Sequence, residues 1–191
     1  MGVSIVVVGA SLGGLAALKI LLAGLPDKLR TPIVIVQHRG KDTDDALVNA
    51  LRREIRRPIS EPDDKAVLEP GHVYLAPADY HLLVEPGSLA LSTDAPVNHS
   101  RPAVDVLFES AAEAYGSGVV GVVLTGSSRD GAAGCARIKE RGGVVLVQDA
   151  ESAESGVMPR AAIAATRVDR VLLLHELPAA LCELCLEAEH G

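Results

Sequence analysis

The sequence predicts an α/β fold: a doubly wound, mostly parallel sheet with helices on both faces and a small antiparallel hairpin region. Short runs rich in Val and Ile alternate along the chain with segments of helical periodicity, the pattern of strands joined by right-handed crossover helices. Of the 191 residues, 48% are hydrophobic but only 2% are aromatic. A core of Val, Leu, Ile and Ala suits a parallel sheet that is buried on both faces.

The expected strands are short apolar runs that end in glycine or polar residues. The run at 82–92 is expected to form two antiparallel strands, because its halves are too close in sequence for a crossover helix. In chain order, strands are expected over residues 4–10, 32–38, 72–78, 82–92, 118–126, 144–149 and 170–174.

Segments with apolar residues at helical spacing separate most of these strands. Helices are expected over residues 15–25, 44–55, 103–116 and 132–142. The residues that favour helix ends at these boundaries are Gly24, Pro26, Gly142 and Gly143. Asp44 is expected to cap the second helix and Pro102 to lie in the first turn of the third. The polar, proline-rich stretch 56–71 is expected to be a surface loop.

Charge and hydropathy exclude several classes of function. The formal net charge is −7, whereas a general nucleic-acid binder needs an excess of basic residues. There is no apolar run of about 18 residues and no signal-peptide pattern, so we expect a cytoplasmic protein without membrane insertion. The length fits one domain, expected to cover residues 1–191.

The three cysteines fit a reducing compartment in which none needs to pair. Cys182 and Cys185 form a CxxC within the apolar, helical segment 177–190. Because no second CxxC accompanies them, we interpret them as small buried side chains rather than metal ligands, and no metal site is expected.

Three candidate catalytic side chains follow three different predicted strands. Ser11 follows the first strand, His38 the second, and Asp130 lies in the loop after the strand at 118–126. Ligands of open α/β sheets bind outside the carboxyl ends of the strands, so these three residues are expected to converge. A serine, a histidine and an aspartate are the side-chain types of a hydrolytic triad.

The loop Gly9-Ala10-Ser11-Leu12-Gly13 matches GxSxG, in which small neighbours let a serine be exposed on a sharp strand-to-helix turn. It departs from the dinucleotide pattern GxGxxG, since Ser11 replaces the second glycine and no acidic residue ends the next strand. No Gly-Lys-Ser/Thr of a P-loop is present.

Several alternatives stay open at this point. Asp149 also follows a strand and competes with Asp130 as the third triad member, and Asp130 is also suited to cap a helix. The order Ser, His, Asp differs from that of α/β-hydrolases. A nucleotide-binding or non-catalytic signalling domain that uses the same glycine-rich loop is the alternative function.

Six spaced motifs resemble the catalytic domain of CheB-type chemotaxis protein-glutamate methylesterases. They run in family order from about residue 5 to residue 165 and read GASLGG, VQH, GHVYLAPADYHLLVE, PVNHSRPAVDVLF, GVVLTGSSRDGAAG and GVMPRAA. The resemblance implies that Ser11 is the nucleophile, His38 the base and Asp130 the acid that orients it. It also implies hydrolysis of glutamyl methyl esters on chemoreceptors or similar helical signalling proteins, with glutamine deamidation in some members and no cofactor.

Further site residues follow from the chemistry and the resemblance. The oxyanion is expected to be bound by the backbone N–H of Leu12, at the helix start, and by that of Ser127, by family analogy. Arg101 and Arg160 fall in matching motifs and are expected to attract the acidic substrate surface.

The chain departs from the family pattern at Leu12, at Ser127–Arg129, where the family has Met-Gly-Asn, and at residues 39–42. The receiver domain that precedes this domain in the family has no counterpart in these residues. The resemblance therefore implies a stand-alone member or an isolated part of one, with a separate receiver-domain protein as a possible partner.

Overall fold

The computed structural model describes residues 2–40 and 46–187 and contains a seven-stranded parallel sheet and a two-stranded antiparallel one. In chain order, the strands are β1 (Ile5–Ala10), β2 (Ile33–Gln37), β3 (Ile59–Ser60), β4 (Val73–Leu75), β5 (His81–Glu85), β6 (Ser88–Ser92), β7 (Val119–Val123), β8 (Val144–Gln148) and β9 (Arg170–Leu172). The large sheet has the order β3-β4-β2-β1-β7-β8-β9, and β5 pairs with β6. The predicted fold class is confirmed.

Six α-helices accompany the strands in the described part of the chain. They are α1 (Gly14–Ala23), α2 (Ala46–Arg52), α3 (Val104–Tyr115), α4 (Ala132–Glu140), α5 (Val157–Ala165) and α6 (Leu177–Glu187). None of them is long and apolar enough to cross a membrane.

The alternating side chains of β1 divide the core into two layers. Val6 and Val8 face a cluster that includes side chains of α1, α2 and α6. Ile5 and Val7 face the cluster that contains α3, α4, α5 and the β5–β6 hairpin. Every residue of β1 is buried, which explains why this strand is continuously apolar.

The connections place a switch point beside β1. From β1 the chain builds one half of the sheet through β2 and β4, and it then returns to add β7 on the other side of β1. Val8 pairs with Ile35 of β2 and with Val122 of β7, so the carboxyl ends of these three strands lie at one edge. This edge is where an open α/β sheet binds ligands.

The structure differs from the sequence prediction in a few elements. The stretch 56–71, expected to be a loop, contains the short edge strand β3, which pairs with β4 at Ile59 and Ser60. Pro102 precedes α3 rather than lying in its first turn, since the helix begins at Val104 after the N-cap residue Ala103. Helix α5 was not predicted, and Asp44, the expected cap of α2, lies outside the described residues.

Candidate active site

Ser11 lies in the turn between β1 and α1. Its N–H donates to the carbonyl of Thr125 at 3.0 Å, and its carbonyl accepts from the N–H of Gly14 at 2.9 Å. Gly13 has a φ of +77°, a conformation that favours glycine and allows the helix to begin at the next residue. The hydrogen bonds therefore fix the serine backbone between the ends of β1 and β7.

His38 directly continues β2. Its N–H donates to the carbonyl of Ala10 at 2.9 Å, so the backbone of the histidine is aligned with the serine turn. Its Nε2 lies 2.7 Å from Oδ2 of Asp130. Because an ionised carboxylate only accepts hydrogen bonds, Nε2 carries the proton and Nδ1 is the basic ring nitrogen.

The side chain of Asp130 is fully buried, and its carboxylate accepts four hydrogen bonds. Oδ2 accepts from His38 and from the N–H of Val104 at 2.6 Å. Oδ1 accepts from the N–H of Asp105 at 3.0 Å and from the side-chain amide of Asn98 at 3.1 Å. Burial alone would raise the pKa of Asp130, but these hydrogen bonds, with that of His38 the strongest, hold the pKa below its ordinary value.

The start of α3 approaches this carboxylate closely because two glycines leave room for Val104. A Cβ on Gly9 would lie 2.4 Å from Cγ1 of Val104, and a Cβ on Gly131 would lie 2.7 Å from the same atom. The first two N–H groups of α3 thus reach Asp130, where the positive end of the helix dipole favours an anion. Asp130 does not cap α4, whose N-cap residue is Gly131.

Asp105 forms a second buried carboxylate behind the first. Its Oδ1 accepts from the N–H of Gly134 at 2.8 Å, and its Oδ2 accepts from the amide of Asn98 at 2.8 Å. Burial, with the nearby charge of Asp130 contributing, raises the pKa of Asp105 to about 6.

The backbone N–H groups of Leu12 and Ser127 have no hydrogen-bond partner among the described residues. The carbonyl of Leu12 accepts from Oγ1 of Thr125 at 2.9 Å, which holds the turn against the loop after β7. The side chain of Leu12 is 52% exposed and contributes to a depression of about 500 Å³ beside Ser11. Free donors beside an exposed, apolar depression suit the binding of an acyl group.

The two predicted substrate-binding arginines are both engaged with other groups. The guanidinium of Arg101 bonds Asp79 at 2.7 Å and the carbonyls of Thr93 and Asp94. Arg160 bonds Glu151 at 2.7 Å and is more than half exposed.

The alternative acid Asp149 lies apart from the histidine. Its Oδ1 accepts from the N–H of Ser152 at 2.9 Å, in the loop after β8. The carboxylate that contacts His38 is that of Asp130.

The glycine-rich loop offers a poor site for a phosphate. A Cβ on Gly13 would lie 2.5 Å from Oε2 of Glu154, so this carboxylate lies against the loop. The negative charge of Glu154 would repel a pyrophosphate bound at this loop.

Cys182 and Cys185 lie on α6, where Cys185 is buried in the core. Within residues 2–40 and 46–187, no group of three or more His, Cys, Asp or Glu side chains is placed to hold a metal ion.

Four polar residues of this site escaped the sequence analysis: Gln37, Asn98, Asp105 and Gln148. Gln37 and Gln148 end the apolar strands β2 and β8, and each bonds the neighbouring loop. A buried polar residue at the end of an otherwise apolar strand is the signal that could have found these two.

The family model described as CheB methylesterase matches residues 6–181. A relative in Leptospira interrogans, assigned the name protein-glutamate methylesterase/protein-glutamine glutaminase, is 44% identical over 178 residues, which are 93% of this chain and 92% of the relative. A relative of the same name in Anaeromyxobacter dehalogenans is 43% identical over 95% of this chain, which spans only 53% of that protein. The crystal structure of the Thermotoga maritima CheB methylesterase catalytic domain matches with a TM-score of 0.90 and 35% identity, over 96% of this chain and 99% of that one.

Proposed function

Since the chain belongs to the CheB methylesterase family, we propose that it is a serine hydrolase that cleaves glutamyl methyl esters by means of Ser11, His38 and Asp130. The observation that carries this proposal is the 2.7 Å contact between Nε2 of His38 and Oδ2 of Asp130, beside the turn that presents Ser11. Because this contact uses Nε2, the proposal gives the role of base to Nδ1 of His38.

The reaction proceeds in two steps of acyl transfer. Nδ1 of His38 removes the proton from Oγ of Ser11 while Oγ attacks the ester carbonyl. The C–O bond to methanol then breaks, and the imidazolium returns the proton to the departing methoxide. Water repeats the sequence on the acyl-enzyme, which releases glutamate and restores the serine.

The surroundings of the triad stabilise the charges that develop. Asp130 keeps its negative charge near the imidazolium, because its pKa is held below the ordinary value. The free N–H groups of Leu12 and Ser127 donate to the oxyanion. Loss of one such donor typically lowers turnover on the order of 100-fold or more.

The same chemistry accommodates a glutamine side chain, with ammonia as the leaving group in place of methanol. The relatives' double name, methylesterase and glutaminase, favours this second activity. Catalysis in either case uses no cofactor.

The CheB family acts on chemoreceptors. We infer a methylated chemoreceptor, or a similar helical signalling protein in the cytoplasm, as the substrate of this chain, and a separate receiver-domain protein as a candidate regulator. Arg101 and Arg160 attract the acidic surface of that substrate, and the contact with Arg160 replaces its exposed pairing with Glu151.

The test is hydrolysis of a glutamyl methyl ester peptide, followed by the release of methanol. The wild-type chain is expected to turn the ester over, and Ser11→Ala, checked for folding by circular dichroism, is expected to lose the activity. Hydrolysis by Ser11→Ala at the wild-type rate would remove the serine from the mechanism. Tight, saturable binding of NAD in calorimetry, without ester turnover, would favour a nucleotide-binding domain instead.

A further inference from the structure

We propose that Asn98 and Asp105 are positioning residues that hold the carboxylate of Asp130 against His38 through an amide placed between two carboxylates. This inference rests on the proposed function and adds to it the residues that fix the triad acid. Neither residue touches the reacting atoms. Both act through the orientation and charge of Asp130.

The amide of Asn98 uses both of its hydrogens within this cluster. Its Nδ2 lies 3.1 Å from Oδ1 of Asp130 and 2.8 Å from Oδ2 of Asp105. Two carboxylates this close repel each other, and a double donor between them offsets the repulsion. The amide therefore fixes the distance between the two acids as well as the orientation of each.

A tight turn presents Asn98 to the carboxylates. Val97 and Ser100 exchange backbone hydrogen bonds at 3.1 and 2.9 Å, and the two residues between them, Asn98 and His99, have φ values of 50° and 63°. Asn is favoured in two-residue turns of positive φ. Arg101 binds the carbonyls of Thr93 and Asp94 and so anchors the segment that precedes this turn.

Asp105 connects the amide to the helix that follows Asp130. Its Oδ1 accepts from the N–H of Gly134 in the first turn of α4, where the N-cap residue Gly131 has no side chain to do so. Asp130 comes directly before this helix start. A displacement of Asp105 would thus move both the backbone that carries Asp130 and the N–H that Asp130 accepts from Asp105.

The hydrogen bonds of this cluster require an amide at position 98 and a carboxylate at position 105. An Asn at position 105 would turn a second amide toward Asn98 if it kept its bond from Gly134. Asn98 would then need its oxygen to accept from residue 105 and its N–H₂ to donate to Asp130, and its present orientation meets only the second need. An Asp at position 98 would place a third carboxylate against two others.

The experiment compares wild type, Asn98→Ala, Asn98→Asp, Asp105→Asn and the double variant Asn98→Ala/Asp105→Asn in the ester assay across pH. We expect kcat to fall about tenfold in Asn98→Ala and further in Asn98→Asp, with KM within about twofold of wild type. The loss in the double variant should be close to that of one single variant, because both substitutions break the same link.

A pH profile separates positioning from a merely structural role. The acidic limb of kcat/KM reports protonation of the base, His38. Without Asn98 the carboxylate of Asp130 is held less firmly against Nε2 and stabilises the imidazolium less, so this limb should move to lower pH in Asn98→Ala. Asp169→Asn is the matched control: Asp169 accepts a backbone N–H from Val145 at 2.7 Å, away from the site. It should alter the melting temperature but neither kcat nor the profile.

Asn98→Ala with a native melting profile and wild-type kcat at every pH would overturn this inference while leaving the proposed function intact. A loss carried by KM alone would also overturn it, since Asn98 would then contact substrate. The proton resonance of His38 Nε2–H reports its bond to Asp130 without any turnover. An unchanged resonance in Asn98→Ala would contradict the inference. This readout still applies if the wild-type chain does not hydrolyse the ester and the proposed function is overturned.

Discussion

The side-chain Nε2 of Gln37 lies 2.7 Å from the backbone oxygen of Ser11. The same nitrogen lies 3.0 Å from the backbone oxygen of His38, so one buried amide connects the backbones of Ser11 and His38. A second glutamine has the equivalent place on β8, where Oε1 of Gln148 accepts from the N–H of Thr125 at 2.9 Å. The strand ends are thus joined by side chains where the sheet hydrogen bonds stop.

Replacement of Gln37 by Met should keep the volume and remove both hydrogen bonds. We expect the free energy of unfolding to fall by about 1 to 3 kcal/mol, because buried carbonyls lose a donor. We expect kcat to fall about tenfold through displacement of the serine turn. Urea unfolding and ester kinetics measure the two effects. Gln37→Glu should lower kcat and stability further, because a carboxylate repels the two carbonyls. A fully active Gln37→Glu would show that the hydrogen bonds of Gln37 to Ser11 and His38 are not needed for activity.

Asp130→Asn should lower kcat by roughly 10³ to 10⁴ with little change in KM, since the uncharged amide does not stabilise the imidazolium and keeps only one acceptor oxygen for the four donors that Asp130 binds. Steady-state kinetics with a glutamyl methyl ester peptide measures this loss. Asp149→Asn is the control, because Asp149 bonds Ser152 and not the histidine. The assignment of the third triad member fails if Asp149→Asn loses activity and Asp130→Asn keeps it.

Gly126→Ala should reduce activity more than stability. The added Cβ would lie 2.0 Å from Sδ of Met158, which is the flexible end of a side chain, and 2.8 Å from Cβ of Ser11. Displacement of Ser11, the proposed nucleophile, should lower kcat on the order of 100-fold. Gly24→Ala provides a comparison, since its Cβ would meet Pro178 at 2.7 Å, far from the triad. That variant should lose stability and retain kcat; equal kcat values in the two variants would refute the steric argument.

The stability of the fold should depend on the ionisation of Asp105. The pKa of Asp105 is raised from 3.8 to about 6 in the folded state. At a pH between these two values, the folded chain binds a proton at Asp105 and the unfolded chain does not. The contribution of Asp105 to stability therefore grows as pH falls from about 7.5 to 5, by on the order of 1 kcal/mol. Asp130 has the opposite sign: its contribution is present above its ordinary pKa and is lost only as pH falls through the lowered value.

Urea unfolding of wild type and Asp105→Asn at several pH values measures this effect. The difference in the free energy of unfolding between the two proteins should shift in favour of wild type toward pH 5. Curves that stay parallel over the whole range would mean that Asp105 does not take up a proton on folding.

Arg160→Gln should raise KM several-fold for an acidic receptor fragment and leave kcat unchanged, because the guanidinium is remote from the bond that breaks. An uncharged methyl ester substrate should show no such change. Salt should reduce the difference between wild type and variant, since Arg160 is more than half exposed. A lower kcat at unchanged KM would assign Arg160 a different role.

The sequence by itself determined the fold class and the strand ends at which the site forms. The β-branched apolar runs at β1, β2, β7 and β8 are typical of strands in a parallel sheet that is buried on both faces. Ser11 and His38 follow two of these runs directly, so local pattern was enough to place their backbones at one edge. The family motifs, read in order, pointed to the same residues.

Only the tertiary structure decided what surrounds those residues. That Asp130 rather than Asp149 contacts His38 depends on the strand order β2-β1-β7, which brings residues 92 positions apart to 2.7 Å. The bonds from Val104 and Asn98 to Asp130 depend on how α3 and the turn before it pack on β1. Such contacts join groups distant in sequence, and neither periodicity nor local propensity carries information about them. The short strand β3 was missed for a related reason: two residues in a polar stretch become a strand only because β4 is there to pair with them.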